Sequence, residues 1–242
     1  MLSIVIPTLN EEEYLPGLLN SIKEQNFNDL EIIVSDAGSK DKTVKIAKNY
    51  GCKVVKGGLP SIGKNNGAKV AKGDIIVFLD ADMRLSKGEL KDALEEFKSR
   101  KLDLASSQLR ALEKDFFGEV VLHLFYNFPM VLFEKILPRG VGFIMVKKDF
   151  FGNLKGFDEK VILAEDTDFI RQAVKMGEFG ILERVKPFYS LRRFKKEGWV
   201  VAYVKYFISE LYFLIFGPDR KQKIKFQFGH HKRKKDYAKR RN

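Results

Sequence analysis

The sequence is poor in the features that stabilise small secreted proteins or insert proteins into membranes. It contains one cysteine, Cys52, so no disulfide can form within the chain. The first residues, MLSIVIPT, lack the basic region and cleavage pattern of a signal peptide and are typical of a strand. No uninterrupted apolar run reaches the ~20 residues that a membrane-spanning helix needs. These absences favour a cytoplasmic protein that folds around its own apolar core.

Positive charge is concentrated at the end of the chain. The net charge is +12, and residues 219–242 carry +9 of it, from eleven Lys and Arg against two acids. The rest of the chain is therefore nearly balanced. A basic arm of this kind binds either nucleic acid or the anionic surface of a membrane.

Residues 1–100 alternate between strand-like and helix-like segments. This alternation predicts a parallel sheet with helices on both faces. In such sheets, ligands bind at the carboxyl ends of the strands. The residues at those ends are Pro7 and Thr8 after the first strand, Asp36 after the second, and Asp80 and Asp82 after the fourth.

Two carboxylates follow the fourth strand at a spacing that brings like charges together. The stretch GDIIVFLDADM places Asp80 and Asp82 after a buried apolar run, with only Ala81 between them. A divalent ion would relieve the repulsion, because Mg²⁺ and Mn²⁺ prefer carboxylate oxygens combined with substrate phosphates. A solvated turn that happens to carry two acids is the alternative.

Five segments resemble, in the same order, those of the family-2 glycosyltransferases, which have the GT-A fold. They extend from Ser3 to Phe169 and read SIVIPTLNEE, IIVSDAGSKDKT, GKNNGAKVAKGDIIVFLDADM, GFDE and EDTDF. The resemblance implies an α/β, Rossmann-like GT-A fold with a mostly parallel sheet and flanking helices. It also implies that a nucleoside diphosphate-sugar binds to the N-terminal half and the acceptor to the C-terminal half.

The resemblance implies roles for the donor-side residues. Pro7, Leu9 and Glu11 match positions that line the nucleotide base and ribose, beside Thr8, and Asp36 matches an acid that contacts the base. For Asp36, a turn stabilised by its own side chain is the alternative. Asp80 and Asp82 match the family's DXD motif, with Asp82 as the main metal ligand and Asp80 on the ribose or metal side.

Lys64 and Asn65 match a further donor-side pair. The family usually has arginine followed by asparagine there, and lysine keeps the charge but lacks the planar fork of donors. Farther along the chain, LRRFKKEGW supplies Arg192 and Arg193, whose paired N–H donors suit a diphosphate. Two surface arginines that favour solubility are the alternative.

The resemblance also implies roles on the acceptor side. Gly156, Phe157 and Asp158 match the turn that faces the acceptor. Glu165 and Asp166 match an acidic pair whose aspartate is the usual catalytic base. For Asp166, an acid favoured by the dipole at a helix N-terminus is the alternative.

Two segments, 120–133 and Trp199–Phe216, are more apolar than a small enzyme needs. The second contains Lys205 and Glu210, which disfavour a membrane-spanning position. Core packing, a subunit interface and contact with a membrane surface all remain open. We expect a glycosyltransferase domain at 1–198 (nucleotide-sugar half 1–100, acceptor half 101–198), an apolar interfacial helix at 199–218 and a basic tail at 219–242.

Together these features predict a metal-dependent, inverting glycosyltransferase that uses Mg²⁺ or Mn²⁺ and a UDP- or GDP-linked sugar. The expected acceptor is lipid-linked, such as a polyprenyl phosphate, or a glycan. The expected location is the cytoplasmic face of an anionic membrane, bound peripherally. A nucleotidyltransferase on a related sheet is one alternative, although the acidic PTLNEE replaces its basic, Gly-rich loop. A nucleic-acid-binding protein that uses the basic tail is the other, although the remaining chain has no basic stripe.

Overall fold

The computed structural model describes residues 1–113, 116–161, 163–218 and 220. The predicted basic tail therefore lies outside the described residues, except for Arg220. The strands, in chain order, are β1 Leu2–Thr8, β2 Leu30–Asp36, β3 Lys53–Lys56, β4 Ile75–Leu79, β5 Met83–Arg84, β6 Leu104–Ser107, β7 Arg110–Ala111, β8 Phe143–Lys147, β9 Phe179–Leu182 and β10 Phe188–Tyr189.

Within this part of the chain, the central sheet has seven strands in the order β3-β2-β1-β4-β8-β6-β9. Neighbours are parallel except where β8 pairs in antiparallel fashion with β4 and β6. A small second sheet has the order β5-β10-β7. Because β8 runs against β4, the start of β8 lies at the same edge as the carboxyl end of β4. This arrangement confirms the predicted α/β fold with a mostly parallel sheet.

The helices follow the strands as the alternation predicts. They are α1 Leu15–Lys23, α2 Thr43–Asn49, α3 Pro60–Val70, α4 Glu89–Ser99, α5 Phe116–Leu122, α6 Phe128–Leu132, α7 Lys148–Asn153, α8 Glu165–Ala173, α9 Arg192–Glu197 and α10 Trp199–Phe216. A π-helical turn at His123–Asn127 joins α5 to α6.

The core lies on both faces of the central sheet, as expected for parallel strands covered by helices. Ile4 and Ile6 of β1 belong to one buried cluster and Val5 to the other. Helix α3 packs closely on β1 at Gly67, where a Cβ atom would lie 2.2 Å from Cγ1 of Val5. A glycine at this position lets α3 approach the strand closely.

Helix α10 has one buried stripe and one exposed stripe of side chains. Ala202 and Phe213 are buried, and the Arg171 guanidinium lies 4.4 Å from the Phe213 ring centroid. The opposite side carries apolar residues that are 46–62% exposed, namely Val201, Val204, Ile208, Leu211 and Ile215. Among the described residues, none of the helices combines the length and apolarity needed to cross a membrane. The proposed domain boundary before α10 stays a prediction.

Candidate active site

A cavity of about 600 Å³ opens at the carboxyl ends of β1 and β4. Its volume is in the usual range for a small-molecule site. Many of the residues singled out by the sequence line this cavity: Pro7, Thr8, Leu9, Glu11, Asp80, Asp82, Glu165, Asp166, Arg192 and Arg193. The fold thus brings together three parts of the chain that are far apart in sequence: the residues after β1 and β4, the start of α8, and α9.

Asp80 and Asp82 form the wall of the cavity at the end of β4. Burial raises the pKa of Asp80 to about 6, against the Lys64 ammonium, and the nearby Asp166 and Asp82 carboxylates raise it further. Burial also raises the pKa of Asp82 to about 6, opposed by the Arg192 guanidinium. Both carboxylates therefore carry negative charge that their surroundings compensate only in part.

Lys64 lies beneath the cavity rather than in its lining. Its side chain is almost fully buried, and Nζ lies 2.9 Å from an oxygen of Glu165 and 2.5 Å from one of Asp166. Burial alone would lower the pKa of Lys64, but Asp166 and Glu165 hold it above its ordinary value. Burial raises the pKa of Glu165 despite the attraction of Lys64. Lys64 thus holds the two acids of α8 in place.

Asp166 is held from two directions at the start of α8. One carboxylate oxygen accepts the Lys64 contact, and the other accepts a hydrogen bond of 3.1 Å from the Gly142 N–H. Gly142 also accepts a 3.0 Å hydrogen bond from the Asp80 N–H. Ala164, just before α8, has a left-handed backbone with φ of 59°, a strain that proteins often retain at functional sites.

Arg192 connects α9 to the residues that follow β1 and β4. Its guanidinium donates two hydrogen bonds to Glu11, of 2.7 and 2.8 Å, and its Nε lies 3.0 Å from an oxygen of Asp82. The same group lies 4.4 Å from the Tyr14 ring centroid. Burial raises the pKa of Glu11 in spite of this pairing. Arg193 lines the cavity beside it.

Asp36 is not part of the cavity lining. Its carboxylate accepts hydrogen bonds from the Thr8 hydroxyl at 3.1 Å and the Gly38 N–H at 2.9 Å. It also accepts from the N–H and the hydroxyl of Ser39, at 2.8 and 2.5 Å. These contacts stabilise the turn after β2, and a contact between Asp36 and a nucleotide base stays a prediction.

Asn65 and the predicted acceptor-side turn lie next to each other, outside the cavity lining. The Asn65 amide donates to the Phe157 carbonyl at 2.9 Å and accepts from the Phe157 N–H at 2.9 Å. The Phe157 ring packs in a buried cluster with Phe78 and Phe169. Asp158 pairs with Arg220 at 2.7 Å. The roles of Asn65, Gly156, Phe157 and Asp158 toward ligands stay predictions.

Sequence reasoning did not assign the apolar wall of the cavity to the site. This wall is formed by Leu109, Val121, Leu122, Phe125, Tyr126 and Trp199. The apolar character of 120–133 was the available signal, but it did not distinguish a cavity wall from a core or an interface. Arg139 also lines the cavity, and no motif marks it in the sequence.

Comparison with known proteins identifies the family. The model of Glycosyl transferase family 2 matches residues 3–159. The chain belongs to this family. The match includes the strand ends with Glu11, Asp36, Asp80 and Asp82, and it confirms the resemblance seen in the sequence.

The chain is also similar to parts of named glycosyltransferases. The chain is 35% identical over 101 residues to poly(ribitol-phosphate) beta-N-acetylglucosaminyltransferase TarS of Staphylococcus aureus, covering 38% of this chain and 18% of TarS. It is 36% identical over 105 residues to the GalNAc(5)-diNAcBac-PP-undecaprenol beta-1,3-glucosyltransferase of Campylobacter jejuni, covering 39% of this chain and 34% of that enzyme. The chain therefore spans a minor part of both relatives.

The fold also resembles that of a solved structure. The mannosyltransferase PcManGT from Pyrobaculum calidifontis, in complex with GDP-Man and Mn2+, superposes with a TM-score of 0.66 at 20% identity. The superposition covers 86% of this chain and 61% of the mannosyltransferase. At this identity the similarity establishes the shared fold.

Proposed function

We propose that this protein transfers a sugar, with inversion, from a UDP- or GDP-linked donor to a lipid-linked or glycan acceptor. The observation that carries the proposal is the convergence of two acidic groups on one cavity: Asp80 and Asp82 from β4, and Glu165 and Asp166 from α8. Transfer from a diphosphate needs neutralisation of the leaving group and a base for the acceptor hydroxyl. Membership of the family supports the same activity.

The residues at the end of β4 fit a divalent metal. Asp80 and Asp82 offer hard oxygen ligands in a partly buried wall, and their pKa values are raised by burial, which the Lys64 and Arg192 cations oppose. Within the described part of the chain, His, Cys, Asp and Glu form no cluster of three or more that could hold a metal alone. Two carboxylates, with a diphosphate and water, suit Mg²⁺ or Mn²⁺. When bound, such an ion neutralises the diphosphate leaving group.

The remaining polar residues bind the donor and move the proton. Arg192 and Arg193 present guanidinium N–H donors suited to a diphosphate. Pro7, Thr8, Leu9 and Glu11 line the nucleotide end of the cavity. Asp166, fixed by Lys64 and Gly142, accepts the proton of the acceptor hydroxyl, with Glu165 beside it.

The apolar wall favours an acceptor with a hydrocarbon part. Val121, Phe125 and Trp199 line the same cavity as the acidic groups. A polyprenyl-linked acceptor has a hydrocarbon chain for this wall and, where its head group ends in a sugar, a hydroxyl whose proton Asp166 can accept. The name of the Campylobacter jejuni relative includes undecaprenol, which supports this class of acceptor.

A screen of donors and acceptors tests the proposed activity. The full chain is incubated with Mn²⁺ and a panel of UDP- and GDP-sugars, with and without polyprenyl phosphate or a polyprenyl diphosphate-linked sugar, and nucleoside diphosphate release is measured. We expect one donor to be consumed and its sugar to appear on the lipid. If the folded protein releases no nucleoside diphosphate from any donor in the panel, the proposal is contradicted.

We also propose that the protein binds peripherally to an anionic membrane, on its cytoplasmic face. Exposed apolar side chains cover α5 and α6, including Phe116, Phe128 and Leu132, as well as the outer stripe of α10. The Phe117 and Trp199 rings join the two surfaces, with centroids 5.3 Å apart. Apolar patches of this kind mark interaction sites, and the basic sequence after α10 suits anionic headgroups.

Liposome flotation tests the membrane proposal. The intact chain should float with anionic vesicles, and salt should weaken binding without abolishing it, because the apolar contribution is not screened. A version that ends at Gly217 should float less well at low salt. If neither version floats, the apolar surfaces have another partner. If both float equally, the tail serves another purpose, such as binding nucleic acid.

A further inference from the structure

The Arg192 guanidinium contacts both Glu11 and Asp82, the two acids that flank the proposed donor end of the cavity. The paired contacts to Glu11 and the Nε contact to Asp82 hold the group between the segments that follow β1 and β4. Its side chain is 22% exposed, and that of Asp82 is 11% exposed. An ion pair at this depth is screened less than a surface pair. The guanidinium is therefore a fixed countercharge for Asp82.

A divalent ion that binds Asp82 would compete with the Arg192 guanidinium for the same carboxylate. The carboxylate cannot interact fully with both cations, because the guanidinium lies 3.0 Å from one of its oxygens. The apparent affinity of a ligand falls in proportion to the fraction of molecules that offer the free site. Metal binding to the protein alone is thus opposed by Arg192.

A diphosphate would change this balance. Guanidinium groups form paired hydrogen bonds with phosphate oxygens as readily as with carboxylates. Arg192 lines the same cavity as Asp80 and Asp82, together with Arg193. A bound nucleotide would offer Arg192 a new partner and add phosphate ligands for the metal. The two effects act in the same direction.

We propose that Arg192 makes metal binding conditional on the nucleotide, by holding Asp82 until a nucleoside diphosphate takes over its guanidinium. This inference rests on the proposed function, since it assumes a nucleotide and a metal in this cavity. It adds that the two ligands bind cooperatively: the metal binds poorly alone and binds tightly when the nucleotide is present. The coupling is reciprocal, so the metal strengthens nucleotide binding by the same factor.

Manganese binding measured by electron paramagnetic resonance of the free ion tests the inference without any turnover. The full chain, Arg192→Gln and the control Lys195→Gln are titrated with Mn²⁺, with and without UDP or GDP. Lys195 is exposed on the same helix, so its substitution removes the same charge without touching Asp82. We expect Arg192→Gln to bind Mn²⁺ about tenfold more tightly than the unaltered chain when no nucleotide is present, a difference of about 1.4 kcal/mol. Lys195→Gln should change the affinity little.

A second variant guards against misfolding. Arg192→Gln leaves Glu11 buried without its partner, so the double variant Glu11→Gln/Arg192→Gln removes both members of the pair. It should also bind Mn²⁺ more tightly without nucleotide, and the gain in affinity on adding nucleotide should shrink in both variants.

Equal or weaker Mn²⁺ binding by the folded variants would overturn the inference. If the unaltered chain binds Mn²⁺ tightly only with nucleotide, the proposed function stands whatever the variants do. If it binds none even then, the metal in the proposed function is wrong as well.

Discussion

Lys64 of α3 and Asp166 of α8, 102 residues apart in sequence, form a buried ion pair with 2.5 Å between Nζ and Oδ1. A second contact, of 2.9 Å, joins Lys64 to Glu165. The pair connects α3 to the helix that carries the proposed base. The donor-binding role that the family resemblance implies for Lys64 stays a prediction, whereas its place beneath the acids of α8 is a property of the fold.

Replacing Lys64 by methionine should destabilise the protein strongly. The change leaves Glu165 and Asp166 without their buried countercharge, and breaking such a pair costs about 3–5 kcal/mol. Urea denaturation of the variant, compared with Lys69→Met on the exposed side of the same helix, measures the effect. If Lys64→Met lowers the free energy of unfolding no more than the control does, the ion pair contributes little to stability.

Asp166→Asn should separate catalysis from binding. The amide keeps the shape of the side chain but cannot take a proton, so transfer should fall by roughly 10²–10⁴, while the donor Kd stays within a few-fold. Asp168→Asn is the control. Asp168 belongs to the same helix, but its carboxylate accepts a 2.7 Å hydrogen bond from Gln172, one turn along, and has no proposed part in proton transfer. Loss of donor affinity with an unchanged rate at saturation would make Asp166 a binding residue.

Asp82→Ala should abolish activity that depends on a divalent ion. The diphosphate loses its main neutralising ligand, because Asp80 alone remains at the end of β4. Rates with Mn²⁺ and with EDTA, for this variant and for the exposed Asp149→Ala, check the expectation. A rate for Asp82→Ala in chelator equal to that of the unaltered chain with metal would rule out the proposed role.

Glu96 should make the stability depend on acid pH. Burial alone would raise the pKa of Glu96, but the N–H groups of Glu183 and Arg184 and the Arg100 guanidinium hold it below its ordinary value. A lowered pKa in the folded state stabilises the protein above the unfolded value of about 4.3, and that contribution is lost as the pH falls through the folded value.

Urea denaturation of Glu96→Gln at several pH values measures this contribution. At pH 7 the variant should be less stable than the unaltered chain by roughly 1–3 kcal/mol, because a charged acceptor of several hydrogen bonds is lost. The difference should shrink as the pH falls below the unfolded value of about 4.3, and it should vanish only below the folded-state pKa, where Glu96 is protonated in both states. A difference that stays constant down to pH 3 would show that the charge of Glu96 is not responsible.

Local patterns in the sequence were sufficient for much of the fold. Strands and helices follow the alternation of apolar segments, and the acids at strand ends identify the edge where the cavity lies. The antiparallel insertion of β8 between β4 and β6 has no local signature, because it depends on which strand edges remain free after the parallel part has formed.

The contacts within the site were less predictable for the same reason. The pairing of Arg192 with Glu11 joins residues 181 positions apart, and that of Lys64 with Asp166 joins residues 102 positions apart. The sequence suggested a diphosphate contact for Arg192 and a donor-side role for Lys64, yet carboxylates accept hydrogen bonds from both side chains in the fold. Only the tertiary arrangement decides between them.

The position of a bound donor tests the central claim most directly. Crystals grown with Mn²⁺ and the nucleotide sugar selected by the donor screen would locate the metal by its anomalous signal. The account predicts Mn²⁺ bound to Asp80 and Asp82, the nucleotide along Pro7 to Glu11, and the sugar between the diphosphate and Asp166. A metal or nucleotide bound elsewhere on the protein, with this cavity filled by solvent, would contradict it.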